Sequence, residues 1–197
     1  MGGFTSETKS LKTEQTQNRL NNEDNIVIQI FPRFERFISS SWLQTVVSTT
    51  MDSLDLKMEM GSYLGVVIGD DKTIKDLNFR YRGLNEITDV LSFSTIHQGN
   101  YYGGHPPPEN SYIDFPNPGE TLQPVGEVII SYPQAKRQAL EGRIPIHQEV
   151  VTLLVHGTLH VFGFDHENSS DLKTMESKQT SILAAINKIQ STKTTGI

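Results

Sequence analysis

Residues 150–162 (VVTLLVHGTLHVF) form an almost uninterrupted apolar segment, and this segment constrains the fold more than any other feature of the sequence. Wound as a helix, it is apolar around nearly its whole circumference, and such a helix is stable only when other elements cover it on all sides. Pro145 suits the first turn of the helix, and Gly163 suits the turn that ends it. The chain is therefore predicted to fold around this helix, and its 36% hydrophobic content is enough to fill one core.

Four strands and four more helices are predicted around the central helix. Short runs rich in branched apolar residues indicate strands at 25–30, 63–68, 90–94 and 125–131. Apolar residues at helical spacing, with suitable capping residues, indicate helices from soon after Pro32 to the polar stretch at 48–53, from Asp70 or Asp71 to Gly83, over 133–141 and over 170–189. The predicted fold is α+β: a single domain in which a four-stranded mixed sheet packs with about five helices around the His-bearing helix.

Both ends and one internal stretch have the composition of irregular chain. Residues 1–22 are rich in Ser, Thr, Gln and charge, so they are predicted to be a disordered tail before a domain at 23–190. Residues 191–197 are predicted to be a second tail. Residues 96–124 hold four Gly and six of the nine Pro, which predicts a surface insertion without regular structure.

Charge and cysteine content narrow the class of protein. The net charge of -6 and the pI near 5.5 argue against a protein that coats duplex nucleic acid, because that mode of binding neutralises many phosphates with Lys and Arg. The chain contains no Cys, so no disulfide holds the fold, which suits a reducing cytoplasm. A transition metal would have to be held by His and carboxylate side chains. No run of 18 apolar residues occurs, and a soluble cytoplasmic protein without a membrane partner is expected.

Three histidines have the spacing of a catalytic zinc site. His156 and His160 are four residues apart, so they share one face of the central helix, and two imidazoles so placed are able to bind one Zn²⁺. Gly163 allows the chain to turn back and bring His166 to the same ion. Three protein ligands leave one coordination position open for water, which distinguishes a catalytic zinc site from a structural one.

The remaining candidates near this motif are less constrained. A lone His is usually a hydrogen-bonded core or surface residue, but the spacing of the triplet favours the metal site. Asp165 either orients an imidazole from the second shell of ligands, accepts a proton, or is a plain turn residue. His147 lies about half a turn round the helix from His156 and is not expected to join the site, while the other two histidines, His97 and His105, are expected in the insertion.

Three sequence blocks, taken together, resemble one family. The blocks are HGTLHVFGFDH at 156–166, LNFRYRGLNEITDVLSFS at 77–94 and GEVIIS at 126–131, and they are similar to the signatures of the YbeY family of ribosomal RNA maturation factors. The resemblance implies one zinc ion on His156, His160 and His166, with His156 also counted among the catalytic residues. It places Arg82 in the active site, as a catalytic and substrate-binding residue whose guanidinium contacts phosphate. Arg80 would add a neighbouring positive charge for substrate binding.

The chain departs from the family pattern at four positions. Leu84 stands where the family usually has Lys, Ile87 and Ser94 where it has Pro, and Glu127 where Asp is common. These departures predict an altered affinity for RNA rather than a loss of chemistry.

The resemblance implies a single-strand-specific, zinc-dependent endoribonuclease. Its role would be maturation of the 3′ end of small-subunit ribosomal RNA and ribosome quality control. Its partners would be single-stranded RNA or precursor ribosomal RNA and the small ribosomal subunit with its assembly factors, and not DNA. Two alternatives remain: a non-catalytic small-subunit assembly factor with a structural metal, and a metalloprotease. The protease is disfavoured because Gly157 stands where a zinc protease carries its catalytic Glu.

Overall fold

The computed structural model describes residues 25–97, 122–164 and 169–194. Within these ranges the chain forms four strands and five helices, which confirms the predicted α+β class. The strands are β1 (Ile26–Ile30), β2 (Ser62–Gly69), β3 (Val90–Ser94) and β4 (Gln123–Ser131); the helices are α1 (Ser40–Ser53), α2 (Asp71–Arg82), α3 (Tyr132–Gly142), α4 (Ile146–Val161) and α5 (Ser169–Thr194). No helix in the described ranges has both the length and the apolar character needed to cross a bilayer.

The four strands form one mixed sheet in the order β1-β2-β4-β3. β1, β2 and β4 are parallel, and β3 runs antiparallel to β4 at the edge of the sheet. In the β3–β4 pair Val90 lies opposite Ile130, and Ser94 lies opposite Gly126. The last residue of β3 therefore lies towards the amino end of β4.

Different helices cover the two faces of the sheet. Successive side chains of a strand point to opposite faces, so neighbouring residues of β4 belong to different cores. Val128 and Ile130 of β4 belong to the larger core, which α1, α4 and α5 build. Ile129 belongs to a smaller core under α2. The members of this smaller core are Val67, Ile74, Leu77, Leu91 and Ile129. The sheet thus separates α2 from the His-bearing helix α4.

The first helix begins later than its apolar spacing predicts. Residues 34–37 form turns, in which Phe34 N–H donates to the carbonyl of Phe31 and Phe37 N–H to that of Phe34. The rings of Phe34 and Phe37 lie 5.0 and 5.7 Å from the ring of Tyr132, and these contacts account for their apolar character. The helix starts at Ser40, where the Ser39 hydroxyl caps it by accepting from the Trp42 N–H.

Two elements extend beyond their predicted limits. β4 begins at Gln123, inside the segment 96–124 that was expected to lack regular structure, because it pairs with β2 from Ser62 onward. Helix α5 continues to Thr194, past the predicted tail boundary at residue 191, since no Gly or Pro interrupts the sequence before Gly196. The other predicted irregular segments, the tail at 1–22 and most of the insertion, lie outside the described residues.

Candidate active site

Helix α4 lies unusually close to the sheet at Gly157. A Cβ atom at this position would lie 2.6 Å from Cγ1 of Val128, which is closer than normal packing allows, and 3.3 Å from Cγ2 of Val90, which is a tight contact. Gly126 of β4 makes the matching approach, since a Cβ there would lie 2.5 Å from Cγ1 of Val161. These two glycines seat the helix against β3 and β4, so the orientation of α4 is fixed by the core.

His156 and His160 share one face of α4, as their spacing predicts. Their Nε2 atoms lie 3.2 Å apart, and their rings are nearly perpendicular, with an interplanar angle of 81° and centroids 4.6 Å apart. Both side chains are half-buried. Two ring nitrogens therefore converge on the same point next to the helix.

This separation fits two ligands of one metal ion. Zinc–nitrogen bonds of about 2.0–2.1 Å at a tetrahedral angle place two ligating nitrogens about 3.3–3.4 Å apart, and the Nε2 atoms lie 3.2 Å apart. The donors are imidazole nitrogens, which zinc prefers alongside thiolates. His166 and Asp165 lie outside the described residues, so the third ligand and the role of Asp165 stay predictions.

A residue that the sequence analysis missed completes the described part of this cluster. The Nδ1 atom of His156 lies 3.2 Å from Oε1 of Gln179 on α5. Gln179 occupies a position on the packing face of α5, between the buried side chains of Met175 and Ile182. One polar residue in an otherwise apolar stripe was the available signal, since such residues are retained when they have a hydrogen-bonding partner.

The end of β3 is tied to the end of α4. The Ser94 hydroxyl donates to the carbonyl of Val161, 2.8 Å away, and accepts from the N–H of His97. The imidazole of His97 lies about 3.0 Å from where a Cβ at Gly163 would be, and Gly163 itself has φ +83°. The turn after α4 therefore requires glycine for both space and conformation. His97, expected to be a loop residue, packs against the turn that leads to His166.

His147 lies apart from the histidine pair. The ring of His147 lies 5.3 Å from the Trp42 ring in an edge-on contact, near the start of α4. This position agrees with the prediction that His147 does not join the site. His105 lies outside the described residues.

Arg82 is the last residue of α2, on the opposite face of the sheet from the two histidines. The topology nevertheless brings the two helix ends to the same end of the sheet. Tyr81, next to Arg82, packs on Phe93 of β3 with ring centroids 4.8 Å apart. The carbonyl of Phe93 and the Val161 side chain of α4 both border the space above Gly126. Arg82 is half-buried, which differs from the plain exposed arginine that a helix end favours.

Arg80 lies in the same last turn of α2 but is exposed. Two residues of separation place its side chain about 200° from that of Arg82 around the helix. The two arginines therefore do not present one shared surface, although both lie favourably at the negative end of the helix dipole.

Comparison with known proteins decides the family. The family model for "Endoribonuclease YbeY" matches residues 27–187, which is most of the described fold. The chain belongs to the YbeY family. Endoribonuclease YbeY of Dehalococcoides mccartyi is 37% identical over 169 residues, covering 85% of this chain and 91% of the relative. The protein of the same name from Persephonella marina is 32% identical over 153 residues, covering 77% and 86%.

A solved structure supports the fold. The solution structure of a Thermotoga maritima protein aligns with a TM-score of 0.51 at 22% identity, covering 85% of this chain and 93% of that one. The likeness shows that the two chains share an architecture.

The packing of Gly157 separates this YbeY-family chain from zinc proteases. The Cβ direction at residue 157 points at Val128 in the sheet. Even the first carbon of a glutamate side chain at this position would collide with Val128, so the side chain has no room here unless the sheet shifts. The proteolytic mechanism therefore lacks its base at this position for a steric reason as well as a chemical one.

Glu127, one of the departures from the YbeY pattern, lies on the face of the sheet that α2 covers. It is half-buried opposite Phe93 and Gly65, and a Cβ at Gly65 would lie 3.1 Å from its Cγ. Burial raises the pKa of the Glu127 carboxyl from 4.5 to about 7. Burial is the main cause of the raised pKa of Tyr63, and the negative charge of Glu127 raises it further. The Glu127 carboxyl is thus neutral through much of the acidic pH range.

Proposed function

We propose that the chain is a zinc-dependent endoribonuclease that cleaves single-stranded RNA. Its proposed role is maturation of the 3′ end of small-subunit ribosomal RNA and ribosome quality control, in the cytoplasm, together with the small subunit and its assembly factors. The observation that supports this most strongly is the pair of His Nε2 atoms 3.2 Å apart, on a helix fixed by the core, in a member of a family of endoribonucleases.

His156, His160 and His166 would hold the ion. When bound, zinc supplies a Lewis acid that polarises a phosphoryl oxygen. The contribution of the protein is to fix the donors before substrate arrives. His156 and His160 lie on a rigid helix rather than a loop, and their two rings are held at a fixed angle. Preorganisation of this kind avoids the cost of arranging the groups during the reaction.

Arg82 is the proposed phosphate-binding residue of the site. Its guanidinium offers paired N–H donors that match two oxygens of a phosphodiester, and its charge stabilises negative charge that develops on those oxygens. Arg82 lies at the same end of the sheet as the end of α4. Arg80, which is exposed, is proposed to contribute to RNA binding at longer range.

The experiment compares metal content and single-turnover cleavage in wild type, His160→Ala, Arg82→Ala and Arg82→Lys. The substrates are a labelled single-stranded RNA, the same RNA annealed to its complement, and a precursor fragment spanning the 3′ end of small-subunit ribosomal RNA. His160→Ala is expected to lose zinc and cleavage together. Arg82→Ala is expected to keep zinc and to cleave about 30- to 1000-fold more slowly, because one charge-assisted contact in a water-poor site is worth about 2 to 4 kcal/mol.

The Lys variant tests the role of the forked guanidinium. It keeps the positive charge but loses the paired donors, so its rate should fall between those of wild type and Arg82→Ala. If the metal-free protein cleaved RNA at the rate of the zinc-loaded protein, zinc would have no part in the reaction. A zinc-loaded protein that cleaves none of the three RNAs, yet binds the small ribosomal subunit, would favour the alternative of an assembly factor with a structural metal.

A further inference from the structure

Gln179 is a polar residue at a packing position of α5. Met175, Ile182 and Ile186 are buried at intervals of seven and four residues and define the face of α5 that meets the core. Gln179 falls one turn after Met175 and just under one turn before Ile182, so it shares that face and is half-buried. A hydrophobic residue would fill such a position at less cost in desolvation. The amide at this position is therefore expected to have a hydrogen-bonding partner.

That partner is the imidazole of His156. Oε1 of Gln179 lies 3.2 Å from Nδ1 of this ring, and the other ring nitrogen, Nε2, lies 3.2 Å from Nε2 of His160. A carbonyl oxygen only accepts hydrogen bonds, so a hydrogen bond between these two atoms requires the proton on Nδ1. The lone pair of the neutral ring then lies on Nε2, the atom that converges with His160.

We propose that Gln179 is a positioning residue that fixes the tautomer and the orientation of His156 for metal binding. The inference rests on the proposed metal site. Acceptors that bond to the distal nitrogen of a ligating imidazole hold the ring and raise metal affinity, and loss of such a partner typically weakens binding 10- to 100-fold. An amide performs this role without adding negative charge. The positive charge of a zinc centre is thus kept in full for an anionic substrate.

The test measures metal affinity and ring tautomer in matched variants. Gln179→Met keeps the side-chain volume and removes the acceptor, while Gln179→Glu keeps the acceptor and adds charge. Zinc and cobalt affinities are measured by competition with a chelating indicator, without RNA. The Met variant is expected to bind metal about 10- to 100-fold more weakly, and the Glu variant at least as tightly as wild type. Ile186→Val, which trims the same packing face, should lower stability without changing metal affinity.

Nitrogen NMR of the metal-free protein provides a readout that packing alone would not move. At alkaline pH, where both imidazoles are neutral, wild type should show His156 protonated on Nδ1, and the Met variant should show a mixture of tautomers. A wild-type His156 protonated on Nε2 would overturn the inference, whatever the variants do. Wild-type metal affinity in Gln179→Met would overturn it while leaving the metal site intact. Absence of metal binding by the wild type would instead overturn the proposed function together with this inference.

Discussion

Replacing Glu127 with Gln should make the stability of the folded chain less dependent on pH. In the unfolded chain the carboxyl has its ordinary pKa of 4.5, whereas burial on the sheet face raises that pKa to about 7 in the fold. Below both values the group is neutral in both states. Between them the folded chain holds a proton that the unfolded chain has released, so the free energy of unfolding falls as pH rises. Above about pH 7 the free energy of unfolding has fallen by its full amount.

The size of this effect follows from the two pKa values. The interval between 4.5 and about 7 corresponds, at about 1.4 kcal/mol per pH unit, to at most about 3.5 kcal/mol. Solvent reaches part of the side chain, so a measured effect of about 1 to 3 kcal/mol is expected. Gln cannot titrate and nearly matches Glu in shape, so Glu127→Gln should gain this amount relative to wild type between about pH 5 and about pH 8.

Urea titrations of metal-free protein at a series of pH values measure the difference directly. Histidines and other carboxyls are common to both proteins, so their titration cancels in the difference. Glu59→Gln, the same substitution at an exposed glutamate, is measured alongside as the matched control. A Glu127→Gln curve that stays parallel to wild type over the whole range would show that burial does not perturb this carboxyl.

Three further predictions concern the seating and the stability of the site. Gly157→Ala should destabilise the fold by about 1 to 3 kcal/mol despite the better helix propensity of Ala, because its Cβ would lie 2.6 Å from Val128 Cγ1. Combining it with Val128→Ala should cost less than the sum of the two single losses, and strict additivity in urea titrations would contradict this contact. Ser94→Ala should cost about 1 kcal/mol, because the carbonyl of Val161 loses its donor, and a denaturation midpoint equal to wild type would count against that bond. Zinc at about 100 times its Kd should stabilise wild type by ~2.7 kcal/mol and raise its Tm, and an equal rise in His160→Ala would show that the ion binds elsewhere.

The sequence predicts the centre of this fold better than its periphery. Apart from the face that carries His156 and His160, residues 150–162 are apolar all round, which predicts a helix covered by other elements, and the structure has α4 at Ile146–Val161. The helix that starts after Asp70 and ends before Gly83 is specified locally by its cap residues, and its predicted limits agree with the structure. Where one local interaction or one unbroken apolar pattern decides the outcome, sequence reasoning is sufficient.

The errors arise where distant contacts decide. Phe34 and Phe37 have helical spacing, but their rings pack on Tyr132, which lies far along the chain. Gln123 lies in a Pro-rich segment that predicts irregular chain, yet it pairs with β2 and is a strand residue. Gln179 is separated by 23 residues from His156, and only the packing of α5 on α4 brings them together. In each case the deciding contact is made by a residue far along the chain, which the local sequence does not indicate.

The strand order explains how residues on opposite faces of the sheet can serve one site. Helix α2 starts at the carboxyl end of β2, and the contact of Tyr81 with Phe93 shows that it returns towards the amino ends of the parallel strands, where β3 ends. Helix α4 runs opposite to β4, since Gly157 lies at Val128 and Val161 at Gly126. Both helices therefore end beside the last residues of β3. Because β3 is an edge strand, side chains from the two faces are able to meet around it, and this arrangement is consistent with the proposal that Arg82 acts beside His156 and His160.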